Sequence, residues 1–203
     1  MRSKKLFVAA LLIIMIMMLG ACTNMSSSHF TLSKEGIAPY ELSESEKYIL
    51  ESFAIDDTSQ ILAFKAPKEA KSLQVNIYRL DDKGKWSNTG GGGVPLNPEQ
   101  LSGTFTIHLK EDYGIDFNIN TDGLASIKTE GVSLESESTS WTQGFLEEFQ
   151  NIEMNKEIPV AFKVVDSGPS MEGYSLQDYF KPSGFKGMDL VQFVTIEFSD
   201  ESF

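Results

Sequence analysis

Cysteine is nearly absent from this chain, with Cys22 alone among 203 residues. An internal disulfide and a thiolate zinc cluster are therefore both excluded. Histidine is almost as scarce, present only as His29 and His108. A Ser–His–carboxylate arrangement would have to use His108, since His29 falls in an N-terminal spacer, and no Gly-x-Ser-x-Gly elbow accompanies it. Basic residues are few, 17 against 29 acidic, for a formal net charge of −12. That field repels phosphate backbones and anionic headgroups, which argues against nucleic acid as a partner. Long apolar runs are missing as well, with one exception at the N-terminus.

That exception runs from Leu6 to Leu19, 14 apolar residues without a charge, behind Arg2, Lys4 and Lys5. A membrane-spanning helix needs about 20 residues, so the run is short for a permanent span and has the layout of an export signal. Small residues and the sole cysteine close it as Leu19-Gly20-Ala21-Cys22. This tetrapeptide resembles the lipobox of bacterial lipoproteins. The resemblance implies cleavage before Cys22, a diacylglyceryl thioether on its sulfur carrying palmitate-type chains, and anchoring on the extracytoplasmic face of the cell membrane. Each buried CH₂ contributes about 0.8 kcal/mol, and two acyl chains hold where one binds only marginally. The leader carries three bases and no acid, so the remaining 182 residues set 14 bases against 29 acids.

The expected organisation is a signal peptide over 1–21, a lipidated cysteine and flexible tether over 22–40, and one domain over 41–203. Ser26-Ser27-Ser28 marks the tether. Ser43 and Glu46 have capping-box spacing, which predicts a short helix over 44–53 with Ile49, Leu50 and Phe53 as its apolar residues. Trp141, Phe145, Phe149 and Ile152 share a helical face and predict a second helix, although Gly144 argues against it.

Elsewhere the period is two. Leu73/Val75/Ile77, Phe105/Ile107/Leu109, Ile115/Phe117/Ile119, Val160/Phe162/Val164 and Leu190/Val194/Ile196/Phe198 each predict a strand with one buried face. Turn signals at Asp81–Gly84, Glu111–Gly114 and Thr121–Gly123 separate several of them, and Gly90–Gly93 reads as a flexible break. The fold class expected is mainly all-β, an antiparallel β-sandwich with one or two short helices, a barrel being second. This layout is similar to small β-sandwich domains of bacterial surface lipoproteins, a likeness that carries no site residues with it.

Four aromatic residues are candidate ligand contacts. Tyr78 and Trp86 flank the Asp81–Gly84 turn and either stack on a sugar or peptide or pair across the sheet. Tyr174 and Tyr179, with Phe180, sit in a loop-like segment between Gly173 and Pro182. Asp116, Asn118, Asn120 and Asp122, followed by Gly123, partly resemble a Ca²⁺ loop. Asn118 stands where a carboxylate normally opens such a loop and Thr129 where Glu closes it, so the wet face of a strand explains the pattern better. Cofactors are expected to be none, with Ca²⁺ as a side hypothesis. The expected role is a membrane-tethered binding module for a glycan, a peptide or an envelope protein. A carboxylate-pair surface hydrolase and a purely structural envelope component are the alternatives, and an enzyme is the less favoured class.

Overall fold

The computed structural model describes residues 32–134, 140–168 and 173–203. Cys22, the leader and most of the tether lie outside the described residues. Ten strands form two antiparallel five-stranded sheets packed face to face. In chain order they are β1 (Gly36–Pro39), β2 (Ser59–Lys65), β3 (Ser72–Leu80), β4 (Trp86–Pro95), β5 (Ser102–Leu109), β6 (Ile115–Asn120), β7 (Leu124–Lys128), β8 (Ser140–Phe145), β9 (Glu157–Asp166) and β10 (Leu190–Ser199). One helix, α1 (Glu44–Ser52), joins β1 to β2. The first sheet runs β1-β2-β5-β6-β7 and the second β4-β3-β10-β9-β8. Among the described residues no helix is long and apolar enough to cross a membrane.

Alternation builds the core. Phe105, Ile107 and Leu109 of β5 meet Phe117 and Ile119 of β6 on the inner face, opposite Leu73 and Val75 of β3 and Ile196 and Phe198 of β10. Their neighbours in sequence point to the outer faces, as a period of two requires. β9 departs from the expected pattern. Its register against β10 shifts between Val194 and Thr195, so Val160 and Ala161 join the inner core while Phe162 and Val164 face the other way. A bulge inserts the extra residue that flips the faces.

At one end of β9 and β10 the outward side chains are covered. Two 3-10 turns, Leu176–Phe180 and Pro182–Phe185, form a strap across the outer face of the second sheet. Tyr179 and Phe185 of the strap, Phe162 and Val164 of β9 and Val191 and Phe193 of β10 make a second apolar cluster. The second sheet is thus covered on its inner face and over part of its outer face, and the first on its inner face.

Four other expectations change. The region 141–152 is not a helix: Ser140–Phe145 is strand β8, with Gly144 opposite Phe162 of β9 and pressed against its ring. Gly90–Gly93 is not a break but the middle of β4, paired with β3 from Ile77 to Gln74. Gly91 takes φ +150, and a Cβ there would collide with the Val75 carbonyl oxygen. β1 begins at Gly36, inside the stretch assigned to the tether. The capping box of α1 forms as expected, Ser43 and Glu46 bonding reciprocally, yet Ile49 and Phe53 are exposed and α1 buries no residue. Spacing sets which residues share a face, but not which way that face turns.

Candidate functional site

Tyr78, Trp86, Tyr174 and Tyr179 converge beneath and within the strap. Trp86 stacks on Tyr179 with ring centroids 5.2 Å apart and donates its indole N–H to the Tyr179 carbonyl at 2.9 Å. Tyr78 also meets Tyr179, at 5.9 Å, and Tyr174 packs on Phe185 at 4.9 Å. Tyr78 and Trp86 are not direct cross-strand partners; Tyr78 faces Asn88 and Leu80 faces Trp86. Tyr179, almost fully buried, is the residue that brings them together. Trp86 and Tyr174 therefore cement the strap to the sheet, as amphipathic rings do when their polar atoms find partners.

Beside this cluster lies a cleft of about 790 Å³ on the outer face of the second sheet. Its floor is Gln74, Asn76 and Tyr78 of β3, Glu197 of β10 and Glu157 of β9, with Gln177 and Phe180 of the strap on one wall. Gln150, Asn151 and Asn155 supply further carboxamides from the segment before β9. Phe180 is 59 % exposed, an apolar ring at the rim packed edge-on against Tyr179 at 5.2 Å.

Glu157 organises the floor. Its Oε1 accepts from the Tyr78 hydroxyl at 2.7 Å, the Thr195 hydroxyl at 3.1 Å and Asn76 Nδ2 at 3.2 Å, while Oε2 accepts from the Tyr179 hydroxyl at 2.7 Å. Four donors satisfy the charge, and the Tyr179 bond ties the strap to β9. Both phenols are held in the protonated form, chiefly by burial and then by the hydrogen bond to Glu157; Tyr78 is pushed up to about 12 and Tyr179 is raised as well.

Glu197 stands directly opposite Glu157 across the β9–β10 ladder. Burial, followed by the Glu157 charge, pushes its carboxyl above the ordinary range. Among the described residues no cation pairs with it. Two carboxylates in cross-strand register, one fully satisfied and the other not, leave Glu197 as the acidic group the cleft offers to a ligand.

The Ca²⁺ candidates do not converge. Asp116, Asn118 and Asn120 alternate along extended β6 on the outer face of the first sheet, where residues two apart are roughly 6.6 Å distant. Oxygen atoms that share a Ca²⁺ each lie about 2.3–2.6 Å from it, so a straight strand spreads them too far. Asn118 is occupied instead by Thr106 and Ser126, and Asp122 sits in the β6–β7 turn bonded by Thr121 at 3.3 Å. No group of three or more His, Cys, Asp or Glu side chains among the described residues is arranged to hold a metal ion.

No family model, curated protein or solved structure matches this chain. The cleft residues missed in the sequence, Glu157, Glu197, Asn76 and Gln177, carry no motif. A faint signal existed in Gln74 and Asn76, the polar partners in the alternation of β3.

Proposed function

We propose that this protein is a lipid-anchored, extracytoplasmic binding module whose cleft on the second sheet takes a glycan. The observation that carries the ligand class is the lining of the cleft: carboxamides from three segments, one uncompensated carboxylate at Glu197 and the exposed ring of Phe180. Sugars are read by this combination, since amides and carboxylates match hydroxyl donors and acceptors while an aromatic face stacks on the apolar side of the ring. The address rests on the lipobox resemblance at Leu19–Cys22 and the basic leader before it.

A carboxylate-pair hydrolase is the second reading, favoured by the direct opposition of Glu157 and Glu197. Cross-strand register places both side chains on one face of the sheet, the side-by-side placement that a pair of catalytic carboxylates requires. Against it, both oxygens of Glu157 are already engaged by donors, which blunts a nucleophile. Binding without turnover fits that satisfaction better.

A glycan array probed with the immobilised chain tests the ligand. Binding should weaken about tenfold in Gln177→Ala and Phe180→Ala, both exposed positions whose replacement spares the core. Uniform absence of sugar binding by the folded chain discards the glycan. Trp86→Ala is a poor probe, because it dismantles the strap. The anchor has its own test: mass spectrometry of the native N-terminus should find acylated Cys22, and Cys22→Ser should move the protein out of the membrane fraction. An unmodified thiol would refute it.

A further inference from the structure

The outer face of the first sheet carries two neighbouring cross-strand rows that differ in one respect. In the first, Ile61, Thr106, Asn118 and Ser126 lie side by side, and the polar members are linked: Asn118 Nδ2 donates to Thr106 Oγ1 at 3.0 Å and Ser126 donates to Asn118 Oδ1. In the second, Ser59, His108, Asp116 and Lys128 lie side by side on β2, β5, β6 and β7. Among the described residues, none of the side chains of Ser59, His108 and Asp116 makes a hydrogen bond. Ser59 Oγ is buried without a hydrogen-bond partner, and Asp116 Oδ1 is held by an ion pair with Lys110 Nζ at 3.4 Å.

Buried polar atoms are nearly always paired, so the orphan hydroxyl of Ser59 needs an explanation. All three residues line one cavity of about 780 Å³ between the sheet and α1. Leu42, Leu50, Ile55 and Ile61 give that cavity an apolar wall, and Lys47 of α1 lines it too. The order across the strands is nucleophile, imidazole, carboxylate. Cross-strand Cβ atoms stand about 4.5–5.5 Å apart, a spacing from which rotamer changes bring Oγ to one ring nitrogen and the carboxylate to the other. Catalytic hydrogen bonds are often loose in an empty site and tighten around substrate.

We propose that Ser59, His108 and Asp116 form an acyl-ester hydrolase site in the groove beneath α1, for esters whose acyl part is apolar. Ser59 Oγ attacks the ester carbonyl carbon and its proton passes to His108. The bond from that carbon to the alcohol oxygen breaks, and the departing alcohol takes the proton from His108. Water then attacks the acyl-Ser59 ester, giving a proton to His108; the carboxylic acid leaves and Ser59 regains its proton. Asp116 holds the imidazole and stabilises its cationic form, the part a carboxylate plays in such triads. Lys47 and Lys128 line the cavity, and their ammonium groups supply the positive charge available to the tetrahedral oxyanion. This site is on the opposite sheet from the glycan cleft and does not depend on that reading.

The test treats the intact chain with a fluorophosphonate probe, maps the adduct by peptide mass spectrometry, and follows hydrolysis of p-nitrophenyl acyl esters. The expected adduct is on Ser59, with turnover at least a hundredfold lower in Ser59→Ala and His108→Gln and a smaller loss in Asp116→Asn. Absence of an adduct on Ser59 in the folded wild-type chain overturns the proposal, and this arm requires no variant. Ester hydrolysis at the wild-type rate in folded Ser59→Ala overturns it equally.

Discussion

At the scale of single residues, the Glu157–Glu197 pair decides how the cleft behaves. Like charges directly opposite each other across a ladder cost about 0.2–1 kcal/mol. Glu197→Gln removes that repulsion, and its melting temperature should rise by about 1–3 °C. Because the folded-state carboxyl of Glu197 is raised above its unfolded value, its contribution to stability is fully present below the ordinary glutamate range and is lost as pH rises through the folded value. Acidification from neutrality should therefore recover stability from this group in the wild type and not in Glu197→Gln, as read by urea midpoints at successive pH values. The tyrosines run to the alkaline side. Tyr78, pushed up to about 12, lends stability that is complete below about pH 10 and lost as pH climbs through about 12; Tyr179, raised further, keeps its contribution to higher pH still. Tyr179→Phe deletes one charge-assisted hydrogen bond and should cost about 1.5–3 kcal/mol. The faster amide exchange should concentrate in the strap.

At the scale of elements, β4 and α1 show the two ways a local pattern misleads. Four consecutive glycines look like a hinge because they have no side chains to pack and the greatest backbone freedom. In β4 their bareness is what pairing requires: Gly91 lies against the Val75 carbonyl, and a Cβ on Gly92 would lie 3.1 Å from Ile127 of β7, where the two sheets approach. Gly91→Ala should cost about 1–3 kcal/mol through strain at its positive φ and clash, visible as a lower urea midpoint. For α1 the capping box was legible in Ser43 and Glu46, because capping is local chemistry. Its outward-turned Ile49 and Phe53 were not, because orientation is set by tertiary packing. Ser43→Ala should fray the helix by about 1 kcal/mol locally and leave global unfolding unchanged, since α1 buries nothing in the core. The strands of the core were readable wherever one face is wet, as in β5 and β6. β9 failed partly, because a bulge and a strap make both its faces apolar. The cleft was illegible for a different reason: Asn76, Glu157, Tyr179 and Glu197 are far apart in sequence and meet only through β3, β9, β10 and the strap.

At the scale of the whole molecule, the two sheets have different duties. The second is covered by the strap over part of its outer face and presents the polar cleft beside it; the first leaves its outer face open beneath α1. Acid outweighs base by a wide margin, which under the proposed anchoring would keep the body off an anionic bilayer. A consequence follows from how the chain enters the sandwich. Under the proposed anchoring, any pull between the membrane and a captured polymer must enter the body at β1, only four residues long. It is gripped on two sides, by β2 along its ladder and by Gln150, whose backbone exchanges hydrogen bonds of 2.8 and 2.9 Å with Ile37. Mechanical load is thus divided at β1 between β2 and the segment that precedes β9, and rupture of this short clasp sets the force at which the anchored body would begin to unravel.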